Sequence, residues 1–154
     1  MQSITRGIRV STALLLLLSF AACNKKNDAA TASDTSSLDA TPDSQPLRVA
    51  NIEVGRRINA EKKISDQAND FGVRDTIYVS VTTEGAATSS NLAAKWTFNG
   101  KQRVDSSSQN VSPRGGTTVT EFHITKASPW PKGAYKVEIL LDGVSAGSKD
   151  FNVK

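Results

Sequence analysis

From residue 47 onward, hydrophobic and polar positions alternate with a period of two, not the 3.6 of a helix. Ile77, Val79 and Val81 alternate with Thr76, Tyr78, Ser80 and Thr82, and Ala94, Trp96 and Phe98 with Lys95 and Thr97. Phe122 and Ile124 alternate with Glu121 and His123, and Tyr135, Val137, Ile139 and Leu141 with Lys136 and Glu138. Successive side chains of a strand point to opposite faces, so each stretch predicts a strand with one face to a core and one to solvent. Turn-forming clusters at 84–91, 99–100, 113–116, 129–133 and 142–143 separate them. Short strands at this spacing, without intervening helical periods, predict an antiparallel sandwich of about seven strands. Val49, Ile52 and Val54 start an edge strand in this reading. Residues 55–70 are less regular; 60–64 would suit a short helical turn, and an irregular hairpin is favoured.

Asp142-Gly143 between Leu141 and Val144 has the form of a two-residue type I′ hairpin turn. That register places Val144 and Ala146 on the face of Leu141 and Ile139. Phe151 and Val153 have the opposite parity, so one extra residue must be absorbed between them, which predicts a β-bulge near Gly147-Ser148.

The N-terminal third has a different pattern. Arg6 and Arg9 precede an apolar run at 13–18 that ends at Ser19-Phe20-Ala21-Ala22-Cys23. The stretch from 10 to 22 falls short of the ~20 residues a membrane-spanning helix needs, and reads as the core of an export signal. Phe20-Ala21-Ala22-Cys23 resembles the lipobox of bacterial lipoproteins, with Phe20 where Leu is usual. That resemblance implies cleavage before Cys23, acylation of its thiol, and attachment to a lipid bilayer. Cys23 is the only cysteine, so the chain has no internal disulfide, and acylation would remove a lone reactive thiol. Asn24 follows, and by resemblance to the sorting rule of Gram-negative lipoproteins a residue other than Asp here implies the outer membrane in such a host. Residues 24–46 are mainly Ala, Thr, Ser, Asp and Pro, with Leu38 the one large aliphatic residue. They cannot bury enough apolar surface to offset their ordering entropy. As a tether, 23 residues would hold the domain about 24–29 Å from its anchor. The expected organisation is a signal at 1–22, a lipidated cysteine and linker at 23–46, and one domain at 47–154.

Charge adds little to this picture. The chain has 19 Lys+Arg and 15 Asp+Glu; Arg6 and Arg9 fall in the signal with no acid, leaving 17 against 15 after processing. The basic residues are scattered, without the stripe and stacking aromatics of a nucleic-acid surface. A nucleic-acid partner is therefore not expected.

Trp96 in mid-strand, followed by Gly133-Ala134-Tyr135-Lys136-Val137, resembles the immunoglobulin sandwich, with its core Trp on strand C and its tyrosine corner entering strand F. The resemblance implies that Val137, and Val79 or Val81, stand where that family's disulfide would be. More closely, Asp75-Thr76-Ile77-Tyr78-Val79-Ser80-Val81, Lys95-Trp96-Thr97-Phe98 and Trp130-Pro131-Lys132-Gly133-Ala134-Tyr135 resemble small immunoglobulin-like lipoproteins of Proteobacteria. That family has no assigned activity, so the resemblance implies fold and location only.

Candidate chemistry is sparse. Gly143-Val144-Ser145-Ala146-Gly147 fits the G-x-S-x-G nucleophile pattern, which works only on a strand-to-helix turn with the histidine later in the chain. Here the motif falls in a predicted hairpin, and His123, the single histidine, precedes it. One histidine and one cysteine cannot build a zinc site, and Asp66, Asn69 and Asp70 lack calcium-loop spacing, so no metal and no cofactor are expected. Arg114-Gly115-Gly116 precedes no predicted helix that could hold a phosphate. Trp130, between Pro129 and Pro131, could plug the end of the sandwich or stand out as a stacking surface of the kind sugar-binding modules use; the plug is favoured. The sequence thus describes a lipid-anchored, non-catalytic interaction or structural module of the cell envelope. Its partner would be an envelope protein or cell-wall glycan, met at a sheet edge or at the loops carrying Lys101, Arg114 and Trp130. The alternatives are a carbohydrate- or peptidoglycan-binding module and, behind it, an accessory domain of an envelope enzyme.

Overall fold

The computed structural model describes residues 45–154, and all regular structure among them is β. Nine strands follow in order: β1 (Arg48–Ile58), β2 (Ile64–Gln67), β3 (Asp70–Phe71), β4 (Ile77–Ala86), β5 (Ser90–Phe98), β6 (Gln102–Val111), β7 (Arg114–Ile124), β8 (Gly133–Leu141) and β9 (Val144–Val153). They form two sheets, ordered β2-β1-β4-β7 and β3-β9-β8-β5-β6. The pairings β1-β4, β4-β7, β5-β8 and β8-β9 are the A-B, B-E, C-F and F-G pairings of the immunoglobulin sandwich, and β6 extends the second sheet at the C′ position. The two strands beyond the expected seven are β2 and β3. Both are short, and both come from the stretch around 55–71 whose pattern is irregular.

The core lies between the alternating faces. Ile52, Val54, Ile77, Val79, Val81, Phe122 and Ile124 come from one sheet; Leu92, Ala94, Trp96, Tyr135, Val137, Ile139, Phe151 and Val153 come from the other. Val79, Val81 and Val137, at the disulfide positions of the resemblance, are fully buried. The tyrosine corner is present: the Tyr135 hydroxyl donates to the Pro131 carbonyl over 2.8 Å. Tyr135 also stacks on Phe151, with ring centroids 5.5 Å apart, while Phe71 and Trp96 meet Phe151 edge-on at 5.3 and 6.1 Å. The indole nitrogen of Trp96 is buried without a hydrogen-bond partner among the described residues.

β1 starts as an edge strand, as expected, and becomes internal only where the hairpin into β2 pairs with Gly55, Arg57 and Ile58. The turn is closed by Asn59, whose side-chain oxygen accepts from the Lys63 amide at 2.9 Å. No helical turn forms at 60–64. β3 pairs in parallel with the end of β9, where Lys154 donates to Asp70 at 2.5 Å. That hydrogen bond holds the exposed Asp70 carboxyl below the ordinary aspartate range. Asp142 and Gly143 take positive φ values of 52° and 82°, as a type I′ turn requires. The bulge in β9 falls one residue earlier than its predicted position. Ile139 pairs with Gly147 and Leu140 with Ser145, so Ala146 is the extra residue. Val144 pairs with Leu141 at the tip of the hairpin but is 71% exposed there, because the sandwich ends before it.

Candidate functional site

The strand directions give the sandwich two poles. At one lie the 99–101 turn, the 72–76 loop and the 125–132 segment. At the other lie the 87–89 and 112–113 connections, the 142–143 turn and the entering chain. The entering chain is held there by the Ala86 amide, which donates to the Gln45 carbonyl at 2.9 Å, and by an Arg48–Glu84 ion pair. Ten residues of β4 separate the poles by about 33 Å. Lys101 and Trp130 belong to the first pole. Arg114, which pairs with Ala86, belongs to the second. The three sequence-predicted surface residues therefore do not form one site.

Trp130 does not stand out for stacking. It is 6% exposed, its indole N–H donates to the Asp75 carbonyl at 2.9 Å, and its backbone N–H donates to the Val73 carbonyl at 2.7 Å. The indole closes the end of the core edge-on to Tyr135, with centroids 6.3 Å apart. Glycan binding by an outward Trp130 loses its support. Ser145 lies on β9 just beyond the hairpin turn and donates to Glu138 at 2.7 Å, while His123 lies on β7 in the opposite sheet. Asp66 and Asp70 face Arg56 and Lys154, and the Asn69 carbonyl accepts from the Asn152 amide. Cys23 lies outside the described residues.

The site that the structure does build is the seam between β6 and β7, the outer strands of the two sheets on one flank of the sandwich. Only Ser112 and Pro113 connect them, so the two strands start close together at the second pole. Midway, the Gln109 side-chain amide bridges the seam to the Glu121 carbonyl at 2.6 Å. Toward the first pole the strands diverge and open a wedge of about 460 Å³. Its apolar wall includes Phe98, Val104, Ile124 and Tyr135, with the Phe98 and Tyr135 rings 4.8 Å apart. Its polar rim carries Gln102, Arg103, Asp105, His123 and Lys126. Val104 reaches the apolar wall because it is the extra residue of a bulge: Trp96 pairs with Asp105 and Thr97 with Arg103. His123 is fixed from two sides, by Glu121 at 2.5 Å and by the Tyr78 ring at 5.4 Å. Beside a smaller cavity further along the seam, the Ser107 hydroxyl is buried with no partner among the described residues.

Arg103 and Lys126 make no ion pair among the described residues, and neither do Arg74, Lys101 and Lys132 at the same pole; Asp105 is the single carboxylate in the lining. The wedge is an apolar slot with a cationic rim. Sequence periodicity misses it because β6, QRVDSSSQNV, has no apolar alternation. The available signal was Asn99-Gly100, a strong hairpin signal that calls for a strand after it as well as before. Asn99 and Gly100 adopt φ 48° and 70°.

No protein-family model matches this chain, and no curated protein matches it. Among solved structures, it is similar to an immunoglobulin-like protein from Pseudomonas aeruginosa, at 16% identity over 71% of this chain and 98% of that one, with a TM-score of 0.47. A Pseudomonas fluorescens alkylpurine DNA glycosylase, bound to DNA with an abasic site analog, aligns at 13% identity over 70% of this chain and 30% of its own, TM-score 0.47. A Listeria innocua β-glucosidase in complex with glucose aligns at 10% identity over 67% of this chain and 16% of its own, TM-score 0.44. None is similar enough to lend its activity to this chain.

Proposed function

We propose that this protein is a cell-envelope lipoprotein, anchored through acylated Cys23, whose immunoglobulin-like domain acts without catalysis as an interaction module, and that the β6/β7 wedge is the face it presents. The observation that carries the reading is the wedge itself, an apolar slot whose rim cations Arg103 and Lys126 have no ion-pair partner within the described fold. Unpaired cations beside an apolar slot are poised to meet charge from outside. The described chain begins at the other pole, where Gln45 is held by Ala86. Export, lipidation and an outer-membrane address rest on the 1–24 sequence alone.

The test is a photoreactive residue in place of Gln102, at the wedge, or of Arg114, at the other pole, in the native host's envelope. A discrete crosslinked partner from position 102 and none from 114 is expected. Crosslinking from neither position, or equally from both, would count against the wedge as the working face.

A further inference from the structure

We infer that the wedge receives an extended acidic segment of a partner protein, which adds as a strand along the open part of β6. This rests on the reading of the wedge as the interaction face and names the partner chemistry. β6 and β7 are outer strands over their full 10 and 11 residues, whereas on the other flank β2 and β3, with 4 and 2 residues, cover only the ends of β1 and β9. An outer strand leaves a row of backbone N–H and C=O groups unpaired on its free side, which is the template that strand addition uses. The Gln109 side chain, donating to the Glu121 carbonyl, already occupies one such group on β7 and closes the seam above it. Below that bridge, residues 102–105 of β6 border the opening, a length that accepts about four residues of a partner strand.

The side chains along this stretch fit the same occupant. The wedge has room for one or two side chains of a partner, and Phe98, Val104 and Ile124 offer them an apolar surface. Side chains at alternate positions of the incoming strand would point away from that surface, toward the rim where Arg103 and Lys126 stand. These two cations, with Lys101 and Lys132 nearby, select for carboxylates on the partner. An anionic polysaccharide would satisfy the cations but not the free strand edge, so a polypeptide accounts for more of the site.

The experiment uses the processed chain carrying Cys23→Ser and a capped hexapeptide of alternating Glu and Val. Its companions are the same peptide N-methylated at alternate residues, a Lys-for-Glu version, and polygalacturonate. Binding is followed by backbone amide shifts. The Glu peptide is expected to perturb 102–105 with saturation, and N-methylation to weaken it by about tenfold or more, because backbone donors are removed at constant charge. Added salt should weaken it as well. Arg103→Glu with Lys126→Glu should lose the Glu peptide and gain the Lys peptide; a gain cannot come from misfolding. Equal binding of the N-methylated peptide, or equally tight binding of polygalacturonate to the same residues, would overturn strand addition in favour of a charge-only surface. No saturable binding of the Glu peptide would overturn it too. If position 102 crosslinks a partner in the envelope while the peptide fails, the interaction face stands and strand addition falls. If the peptide binds and no crosslink forms, the reverse holds.

Discussion

Tyr135 ties together more of this domain than its single alternating position suggests. Its ring joins Phe98, Trp130 and Phe151 into one cluster, and its hydroxyl holds the Pro131 carbonyl as the chain turns into β8. Burial pushes the phenol pKa up from its ordinary value of 10.0. A folded value above the unfolded one means the neutral phenol stabilises the fold fully below about pH 10, and that contribution is lost as pH rises through the folded value. Tyr135→Phe removes the hydrogen bond and strands the carbonyl, so it should lower unfolding free energy by about 1–2 kcal/mol at neutral pH. The variant should also lose less stability than wild type on going from neutral to strongly alkaline solution. Denaturant unfolding at both pH values checks the pair of outcomes. Trp96 and Tyr135 could be read from sequence because each sits in a long alternating stretch. Phe71, 1% exposed and packed edge-on to Phe151, could not, because its strand has two residues and two residues carry no period.

Among the elements, the strands with one core face and one solvent face were legible, and the others were not. β6 lines a groove on part of one side and meets water on the other, so its residues are polar apart from Val104 and Val111, and the bulge at Val104 shifts what parity remains. β1 shows how a bulge hides a pattern. Val49 and Ile52 are an odd number of residues apart, yet both pack on the core, because the register shifts between Val49 and Asn51. The β1–β2 hairpin rests on a close backbone approach at Gly55, where an added Cβ would come within 2.3 Å of the Asp66 carbonyl oxygen and 2.4 Å of Ile64 Cγ2. Gly55→Ala must push β2 aside and should cost roughly 1–3 kcal/mol. Faster hydrogen exchange confined to 55–67 would confirm that the hairpin takes the strain, whereas unchanged stability would show that it yields freely.

The described domain has one pole where the chain enters and an opposite pole rich in cations, where the outer strands of the two sheets diverge. If the protein is anchored as proposed, anchoring and folding should be separable. Cys23→Ser should move the protein from the membrane to the soluble fraction of the envelope, and mass spectrometry should find no acyl chains. The thermal midpoint of the domain should be unchanged, since no core residue lies near the substitution in sequence. A variant that stays with the membrane would refute the lipid anchor. A midpoint lowered by several degrees would show that the N-terminal region supports the fold.

The linear pattern was enough for the all-β class, the core face of each alternating strand, the Asp142-Gly143 turn and the need for a bulge in β9. These are local consequences of period-two side-chain geometry and of φ preferences at turns. It also carries the lipobox-like Cys23, a linear signal that needs no fold to be read. It took the assembled fold to make β6 a long outer strand, set Lys101 and Arg114 at opposite poles, bury Trp130, and bring Arg103 and Lys126 to one wedge. Each of these depends on which strands become neighbours and where the two sheets part. That follows from the packing of the whole core and from the connections between sheets, which no local pattern encodes.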